Sequence, residues 1–153
     1  MIDIIDFQPK YFENMVTCYQ FGFPEGHNRY TLGRLARWQR DTIILARHNK
    51  TVVGVLIGII SYQEAWFTAL TVLPTVPLLD KCSLHLVKAM ALRFIELGFT
   101  EAYFTTVRRS VLRLAKRIKA TKIQTVPHCY YDGNKRHLIT VSTENLPFIN
   151  QLL

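Results

Sequence analysis

One apolar run limits the possible folds of this chain more than any other feature. Val52–Ile60 is the longest such run, rich in β-branched side chains and interrupted by Gly54 and Gly58. It is far shorter than the roughly 20 residues that a membrane-spanning helix needs, so it is typical of a buried strand. A second run, Thr42–Arg47, precedes it and is joined to it through His48-Asn49-Lys50. This short connection predicts an antiparallel hairpin at the centre of a sheet.

The rest of the chain alternates strand and helix patterns. The predicted strands are Ile2–Phe7, Thr42–Arg47, Thr51–Ser61, Ala65–Leu73, Glu101–Val107, Ile123–Tyr131 and Arg136–Ser142, the last two joined by the turn Asp132-Gly133-Asn134. The predicted helices are one that follows Pro9 and ends at Gly22, then Thr31–Arg40, one that runs from an N-cap at Ser83 to Gly98, and Arg108–Ala120. A long helix between two strands of one sheet is usually a right-handed crossover. Ala65–Leu73 and Glu101–Val107 should therefore be parallel neighbours.

Length and cysteine content suggest one domain in a reducing compartment. The 153 residues are 49% apolar, which suits a single domain over 1–153. The start, Met1–Asp6, carries two acids and lacks the basic and apolar regions of a signal peptide, so we expect a cytoplasmic protein. Three scattered cysteines make no disulfide framework. The spacings Cys82/His85 and His128/Cys129 do not repeat as paired zinc motifs do, and we expect no metal site.

The formal net charge of +8 indicates a polyanionic partner or an acidic neighbour, although a well-solvated basic surface explains it as well. The densest basic region is Arg108–Ala120, followed by Lys122, Lys135 and Arg136. Residues three and four apart share a helix face and can follow successive phosphates. The candidate nucleic-acid-binding residues are Arg109, Arg113, Lys116 and Arg117. No nucleic-acid-binding motif accompanies them, so a solvated face remains the alternative.

The order β-α-α-β-β-β-α-β-α-β-β resembles that of the GNAT superfamily of acyl-CoA-dependent N-acyltransferases along nearly the whole chain. Val72-Leu73-Pro74 matches the Val-x-Pro segment that ends the fourth strand in that family. The resemblance implies an α/β (α+β) fold with a mixed, mostly antiparallel sheet of about six to seven strands and helices on both faces. It also implies that the two parallel strands part toward their C-terminal ends, and that acetyl-CoA is the cofactor.

The cofactor-binding loop departs from the family pattern. Family members place glycines there, and their backbone N–H groups hold the pyrophosphate at a helix N-terminus. This chain has no glycine in residues 74–83, and Pro77 removes one donor. The resemblance places acyl-CoA against Thr71, Val72, Leu73, Lys81, Cys82 and Ser83. The plainer interpretation of Lys81 and Ser83 is a solvated lysine and a helix cap.

The family's usual catalytic acid is also missing. The tyrosine that protonates the leaving thiolate in GNAT enzymes is replaced by Ala115, and the preceding Asn by Arg108. Tyr103 and Tyr130 are possible substitutes, although a strand tyrosine commonly serves packing. In this fold the acceptor lies under the loop between the first two helices. There Glu25 and His27 are candidate bases for an amine, acting directly or through water, unless they are ordinary loop residues.

A narrower resemblance comes from the fourth helix and the fourth strand. Ser110-x-Leu112-Arg113-Leu114-x-Lys116-x-Ile118-x-Ala120, together with Trp66-Phe67-Thr68, looks like the small GNAT-like proteins encoded among the virion and assembly genes of short-tailed phages. Two functions therefore stay open. One is acyl transfer from acyl-CoA to an amine or macromolecular acceptor, a nucleobase included. The other is a catalytically silent, phage-encoded protein that binds nucleic acid or a protein partner in assembly, DNA modification or host takeover.

Overall fold

The computed structural model describes residues 2–77, 81–106, 109–117, 120–126 and 136–143. The strands are β1 (Ile2–Asp6), β2 (Ile43–His48), β3 (Thr51–Ser61), β4 (Glu64–Val72), β5 (Glu101–Thr106), β6 (Lys122–Val126) and β7 (Arg136–Ser142). The helices are α1 (Phe12–Gly22), α2 (Arg29–Trp38), α3 (Cys82–Glu96) and α4 (Arg109–Arg117), with short 3-10 turns at Pro9–Tyr11 and Arg40–Thr42. The described elements follow the predicted order.

The seven strands form one sheet in the order β1-β2-β3-β4-β5-β7-β6. Every neighbouring pair is antiparallel except β4 and β5, so the predicted mixed, mostly antiparallel sheet is confirmed. Two tight turns make the central meander possible. Asn49 and Lys50 have positive φ in the first turn, and Tyr62 and Gln63 have positive φ in the second. Positive φ at both central residues matches the twist of the flanking strands.

Helices cover both faces of the sheet because side chains alternate along each strand. On one face α3 contributes Leu86, Met90 and Phe94 to a buried cluster that also holds Ala115 of α4. On the other face α1 and α2 contribute Met15, Tyr19 and Leu32 to a second cluster. The hairpin strands supply both, since Ile44 and Leu56 belong to the first cluster and Leu45 and Val55 to the second.

Helix boundaries and faces differ from the predictions in several places. α2 ends at Trp38 rather than Arg40, which lies in a 3-10 turn. α2 begins at Arg29 rather than Thr31 because the Asn28 side chain caps it, accepting from the Thr31 N–H at 2.9 Å. Ser83 is not the N-cap of α3: Lys81 takes that position with φ 50°, and no side chain caps the helix. The apolar spacing of α3 predicts that Leu84 faces inward, but Leu86 is the residue that is fully buried.

Several predicted features lie outside the described residues. They are the turn Asp132-Gly133-Asn134, the residues His128, Cys129 and Tyr130, and the cations Arg108, Lys119 and Lys135. The extension of the sixth strand beyond Val126 lies there as well. Within the described part of the chain, no helix has the length and apolar character needed to cross a membrane.

Candidate active site

An opening between β4 and β5 is the central feature of the candidate site. The two strands run parallel, and the pairing between their described residues is confined to Trp66 and Tyr103. On its other edge β5 pairs with β7 along its whole length, from Glu101 to Thr106. The predicted parallel neighbours are therefore confirmed, and they part toward their C-terminal ends.

The β4 edge of this opening carries backbone groups that β3 does not use. The Leu73 N–H donates to the Val53 carbonyl of β3 at 2.8 Å. Because N–H and C=O groups alternate between the two edges of a strand, those of Thr71 also point to β3, whereas those of Leu70 and Val72 point toward β5. The opening is thus bordered by main-chain donors and acceptors that suit an extended, amide-containing ligand.

A bulge in β4 lies close to the apex of the opening. The register with β3 shifts between Ile57↔Ala69 and Gly58↔Phe67, which leaves Thr68 as the extra residue. The Thr68 hydroxyl donates to the Ile57 carbonyl at 2.8 Å and holds the bulge in place. A bulge bends its strand, so this one helps to turn the end of β4 away from β5.

The start of α3 lies beside the C-terminal end of β4. An added Cβ at Gly54, which is paired with Val72, would lie 3.3 Å from the Cys82 sulfur. Cys82 is 4% exposed, whereas Lys81 and Ser83 are exposed. No side chain caps this helix, so among the described residues its first backbone N–H groups are the local counterpart of the missing glycines.

The end of α1 packs tightly on the same part of β4. A Cβ on Gly22 would stand only 2.3 Å from Oγ1 of Thr71, so only glycine fits at this point. Thr71 is buried, and its hydroxyl has no hydrogen-bond partner among the described residues. The Cys18 thiol lies 4.0 Å from the Thr71 carbonyl. Burial, with a smaller contribution from the charge of Cys82, raises the pKa of Cys18 to about 12, so this thiol is protonated and unreactive at neutral pH.

Tyr19 of α1 anchors the loop that holds Glu25 and His27. Its hydroxyl accepts from the His27 backbone N–H at 3.1 Å, and its ring stacks with the His27 ring at a centroid distance of 6.1 Å. A Cβ on Gly26 would come within 2.5 Å of the same hydroxyl. Glu25 and His27 are both exposed, on the loop that directly follows Gly22. Of the two candidate bases, His27 is thus the one whose backbone and ring contact Tyr19.

Tyr103 stands at the apex of the opening, where its ring packs against Trp66 at 5.3 Å between centroids. Its hydroxyl donates to a Glu101 carboxylate oxygen at 3.1 Å. This hydrogen bond raises the pKa of Tyr103, and burial and the charges of Glu101 and Glu64 add to the effect. Tyr103 therefore keeps its proton at neutral pH, the state that a proton donor requires, while the raised pKa makes it a weaker acid than a free tyrosine.

The residue that replaces the usual catalytic tyrosine faces the core. Ala115 is fully buried in the cluster formed with α3, and Leu112 packs beside it. The apolar spacing of this helix predicts that Val111, Leu114 and Ile118 are buried. Val111 is half-buried, and the side chains of Leu114 and Ile118 lie outside the described residues. No proton donor for the opening can come from position 115.

The predicted basic residues form a separate surface. Arg109, Arg113, Lys116 and Arg117 are all exposed on α4, turned away from the buried Ala115. The side chains of this surface do not face the α1–α2 loop, because α4 covers one face of the sheet and α1 with α2 the other.

Three residues of the site were not predicted. Leu70 borders the opening, Thr68 forms the bulge and Tyr19 anchors the loop. The helical pattern of α1 predicts Tyr19 on the buried side of the helix and gives no indication of its contact with the loop. The bulge shows in the packing and not in the sequence: Ala65 and Phe67 face one cluster whereas Ala69 faces the other, so the alternation breaks at Thr68.

No protein-family model and no curated protein matches the chain. Solved structures do. Ard1 from Thermoplasma volcanium superimposes with a TM-score of 0.77 at 19% identity, covering 92% of this chain and 97% of that one. The chain has the GNAT fold. Diaminobutyrate acetyltransferase EctA from Paenibacillus lautus, in complex with L-2,4-diaminobutyric acid and coenzyme A, gives 0.71 at 13% identity with 94% and 95% covered. The ribosomal-protein-S18-alanine N-acetyltransferase from Escherichia coli gives 0.72 at 14% identity, with 94% of each chain covered.

The GNAT fold accounts for the parted strands and the helices on both faces. At 13 to 19% identity the likeness extends to the fold and not to individual residues. The contacts of Tyr19, Gly22 and Tyr103 are therefore properties of this chain.

Proposed function

We propose that the protein is an acyl-CoA-dependent N-acyltransferase that transfers an acetyl or other acyl group to an amine or macromolecular acceptor. The observation that carries the proposal is the opening between β4 and β5, with the main-chain groups of Leu70 and Val72 along its edge. Coenzyme A is bound in the structure of the diaminobutyrate acetyltransferase. The two enzymes named above for their acceptors act on a small diamine and on a ribosomal protein.

The residues of the opening fit the two ends of an acyl-CoA to different degrees. The β4 edge offers an amide-containing arm the hydrogen bonds of a neighbouring strand. At the other end, the first turn of α3 offers backbone N–H groups and Lys81 a charge, without the close approach that glycines allow. Thr71 and Leu73 direct their main-chain groups to β3 and so border the opening through their side chains. Cys82 is buried beside the end of β4.

Acyl-CoA supplies an already activated thioester, so the chain needs only to orient the reactants, polarise the acyl oxygen and move one proton. A main-chain N–H of β4 near the bulge at Thr68 would stabilise the developing oxyanion. His27, or Glu25, would accept the proton of the attacking amine. The new amide bond forms as the C–S bond of the thioester breaks, and Tyr103 would donate its proton to the leaving CoA thiolate at the apex of the opening.

Calorimetry with acetyl-CoA tests the cofactor site directly. We expect weak binding by the wild type because the glycine cradle is missing, and weaker binding by Lys81→Ala because one cation is lost. Lys10 is exposed and lies in the turn before α1, distant in sequence from Lys81. Lys10→Ala is therefore the matched control and should bind acetyl-CoA like the wild type. Tight binding that survives Lys81→Ala would show that the pyrophosphate site lies elsewhere.

Mass spectrometry of a panel of small diamines and peptide N-termini incubated with acetyl-CoA tests the transfer step. We expect His27→Gln to lower turnover by about 10²- to 10⁴-fold, the usual contribution of a general base. His48→Gln, at the β2–β3 turn, is the matched control and should leave turnover unchanged. No acetylated product from any acceptor, together with no acetyl-CoA binding, would contradict the proposal.

A second candidate function rests on the four exposed cations of α4. In this alternative the protein has the GNAT fold without catalysis and binds nucleic acid through Arg109, Arg113, Lys116 and Arg117. The likeness to small proteins of short-tailed phages, and a cytoplasmic site of action, remain predictions that would fit either function. Binding that falls steeply with salt would support the α4 surface.

A further inference from the structure

A shallow groove on α2 plays no part in either proposed function. It has a volume of about 570 Å³ and lies over α2 and the start of α1. The residues that matter in it are Phe12, Tyr30, Gly33, Arg34, Arg37 and Trp38. Phe12 and Gly22 lie at opposite ends of α1, ten residues or about 15 Å apart, so the groove is remote from the α1 end that packs on β4.

Two large aromatic side chains project from this groove into solvent. Tyr30 is 75% exposed and Trp38 is 73% exposed. Tyr30, Arg34 and Trp38 are four residues apart in succession, so they form one stripe about 12 Å long on a single face of α2. Between them Gly33 leaves the floor open: a Cβ there would be in ordinary contact, 3.7 Å, with the Phe12 ring. The stripe presents two flat surfaces separated by a cation.

The charge of the groove is entirely positive. α2 has arginines at positions 29, 34 and 37 and no acidic residue. Glu13 of α1 forms an ion pair with Arg29 and neutralises it. Arg34 and Arg37 form no ion pair with any described residue, and the Arg37 guanidinium lies over the Trp38 ring at 5.9 Å. Two cations thus remain available beside two exposed rings.

We infer that this groove binds a short segment of single-stranded nucleic acid, with bases stacked on Tyr30 and Trp38 and phosphates paired with Arg34 and Arg37. Bases and phosphates of a single strand match the alternation of rings and cations. An acidic peptide offers the charges without the flat faces, and a duplex buries its base faces. A 12 Å stripe corresponds to roughly three or four stacked nucleotides.

Fluorescence anisotropy with labelled 12-nucleotide probes tests the inference. Oligo(dT) and oligo(U) are compared with an abasic strand of the same length, which has the same phosphates and no bases. We expect the base-bearing strands to bind more tightly than the abasic strand. Trp38→Ala combined with Tyr30→Ala should weaken their binding by about 10- to 100-fold, in keeping with the stacking of one or two bases, whereas Trp38→Phe should retain most of it.

Gly33→Gln provides a second test that does not depend on removing a ring. The added side chain fills the groove floor, and replacing glycine inside a helix favours the helix, so folding is preserved. We expect this variant to lose affinity for the base-bearing strands and to unfold at or above the wild-type temperature.

Two controls separate this groove from other surfaces. Leu92→Ala removes an exposed apolar side chain on α3, at the opposite face of the sheet, and should change nothing. Arg109→Gln with Arg113→Gln should leave the preference for base-bearing strands over the abasic strand intact. Equal affinity for abasic and base-bearing strands, no binding of any single strand at low salt, or unchanged binding by both Gly33→Gln and the double aromatic variant would overturn the inference.

Discussion

Gly22→Ala probes the contact that sets the end of α1 against β4. An alanine Cβ would lie 2.3 Å from Oγ1, 2.8 Å from Cγ2 and 3.1 Å from Cβ of Thr71. Rotating the Thr71 side chain does not remove the crowding. Its branched Cβ carries two heavy atoms, Oγ1 and Cγ2, so every rotamer leaves at least one of them beside the added methyl group. The helix end or the strand must therefore move by several tenths of an ångström.

The expected cost follows from two opposing effects. Overpacking of this kind typically destabilises by about 1–3 kcal/mol. Replacing glycine by alanine in a helix stabilises by up to about 1 kcal/mol, and by less at the last residue of α1. We expect a net loss of about 1–2 kcal/mol, which lowers the midpoint of thermal unfolding by roughly 2–8 °C for a chain of this size.

Gly33→Ala on α2 is the matched control, because its Cβ would meet only the Phe12 ring at 3.7 Å. It should be neutral or slightly stabilising. Thermal unfolding of Gly22→Ala, Thr71→Ala and the double variant completes the test. Thr71→Ala removes Oγ1 and Cγ2, so in the double variant most of the cost of Gly22→Ala should disappear. The effects of the two substitutions on the free energy of unfolding should therefore deviate from additivity by about 1–2 kcal/mol. Additive effects, or a Gly22→Ala variant as stable as Gly33→Ala, would refute the close contact.

Three further predictions concern the rest of the molecule. Cys18 favours its protonated form in the fold, with a pKa near 12 against an ordinary value of 9.0. Its contribution to the free energy of unfolding is complete below pH 9 and is lost as the pH rises toward 12. At pH 10 the wild type should therefore have lost about 1.4 kcal/mol that Cys18→Ala does not lose. Urea unfolding that gives the same dependence of stability on pH for both proteins would contradict this. Arg109→Glu with Arg113→Glu should reduce the slope of log affinity against log salt for DNA by about two, and an unchanged slope would make the α4 surface a solubility feature. Phe94→Ala removes a fully buried ring whose centroid lies 5.2 Å from that of Phe67, and it should lower the free energy of unfolding in urea by about 3–5 kcal/mol. A loss below about 1 kcal/mol would show that the core is loosely packed.

Local patterns predicted the elements because each pattern depends on near neighbours. The alternation and terminal turn of Arg136–Ser142 gave the bounds of β7 as the structure has them, and the hairpin at Asn49-Lys50 was readable from its spacing alone. The start of α2 was misplaced although the signal was present, since Asn28 is a favoured N-cap. The same rule predicts Ser83 as an N-cap. The left-handed turn at Lys81 overrode it, and nothing in the residue type indicates that conformation.

The sequence by itself determined which segments become strands and helices, their order, and therefore the crossover that makes β4 and β5 parallel. Only the tertiary structure decided how the site is built. The bulge at Thr68, the contact of Gly22 with Thr71 and the position of Tyr103 at the apex all depend on pairs distant in sequence, whose packing leaves no periodic signature. The α2 groove belongs to the same class. The sequence predicts Tyr30 just before the helix and Trp38 within it, and neither position indicates an exposed ring, because burial is a property of the assembled surface and not of the residue.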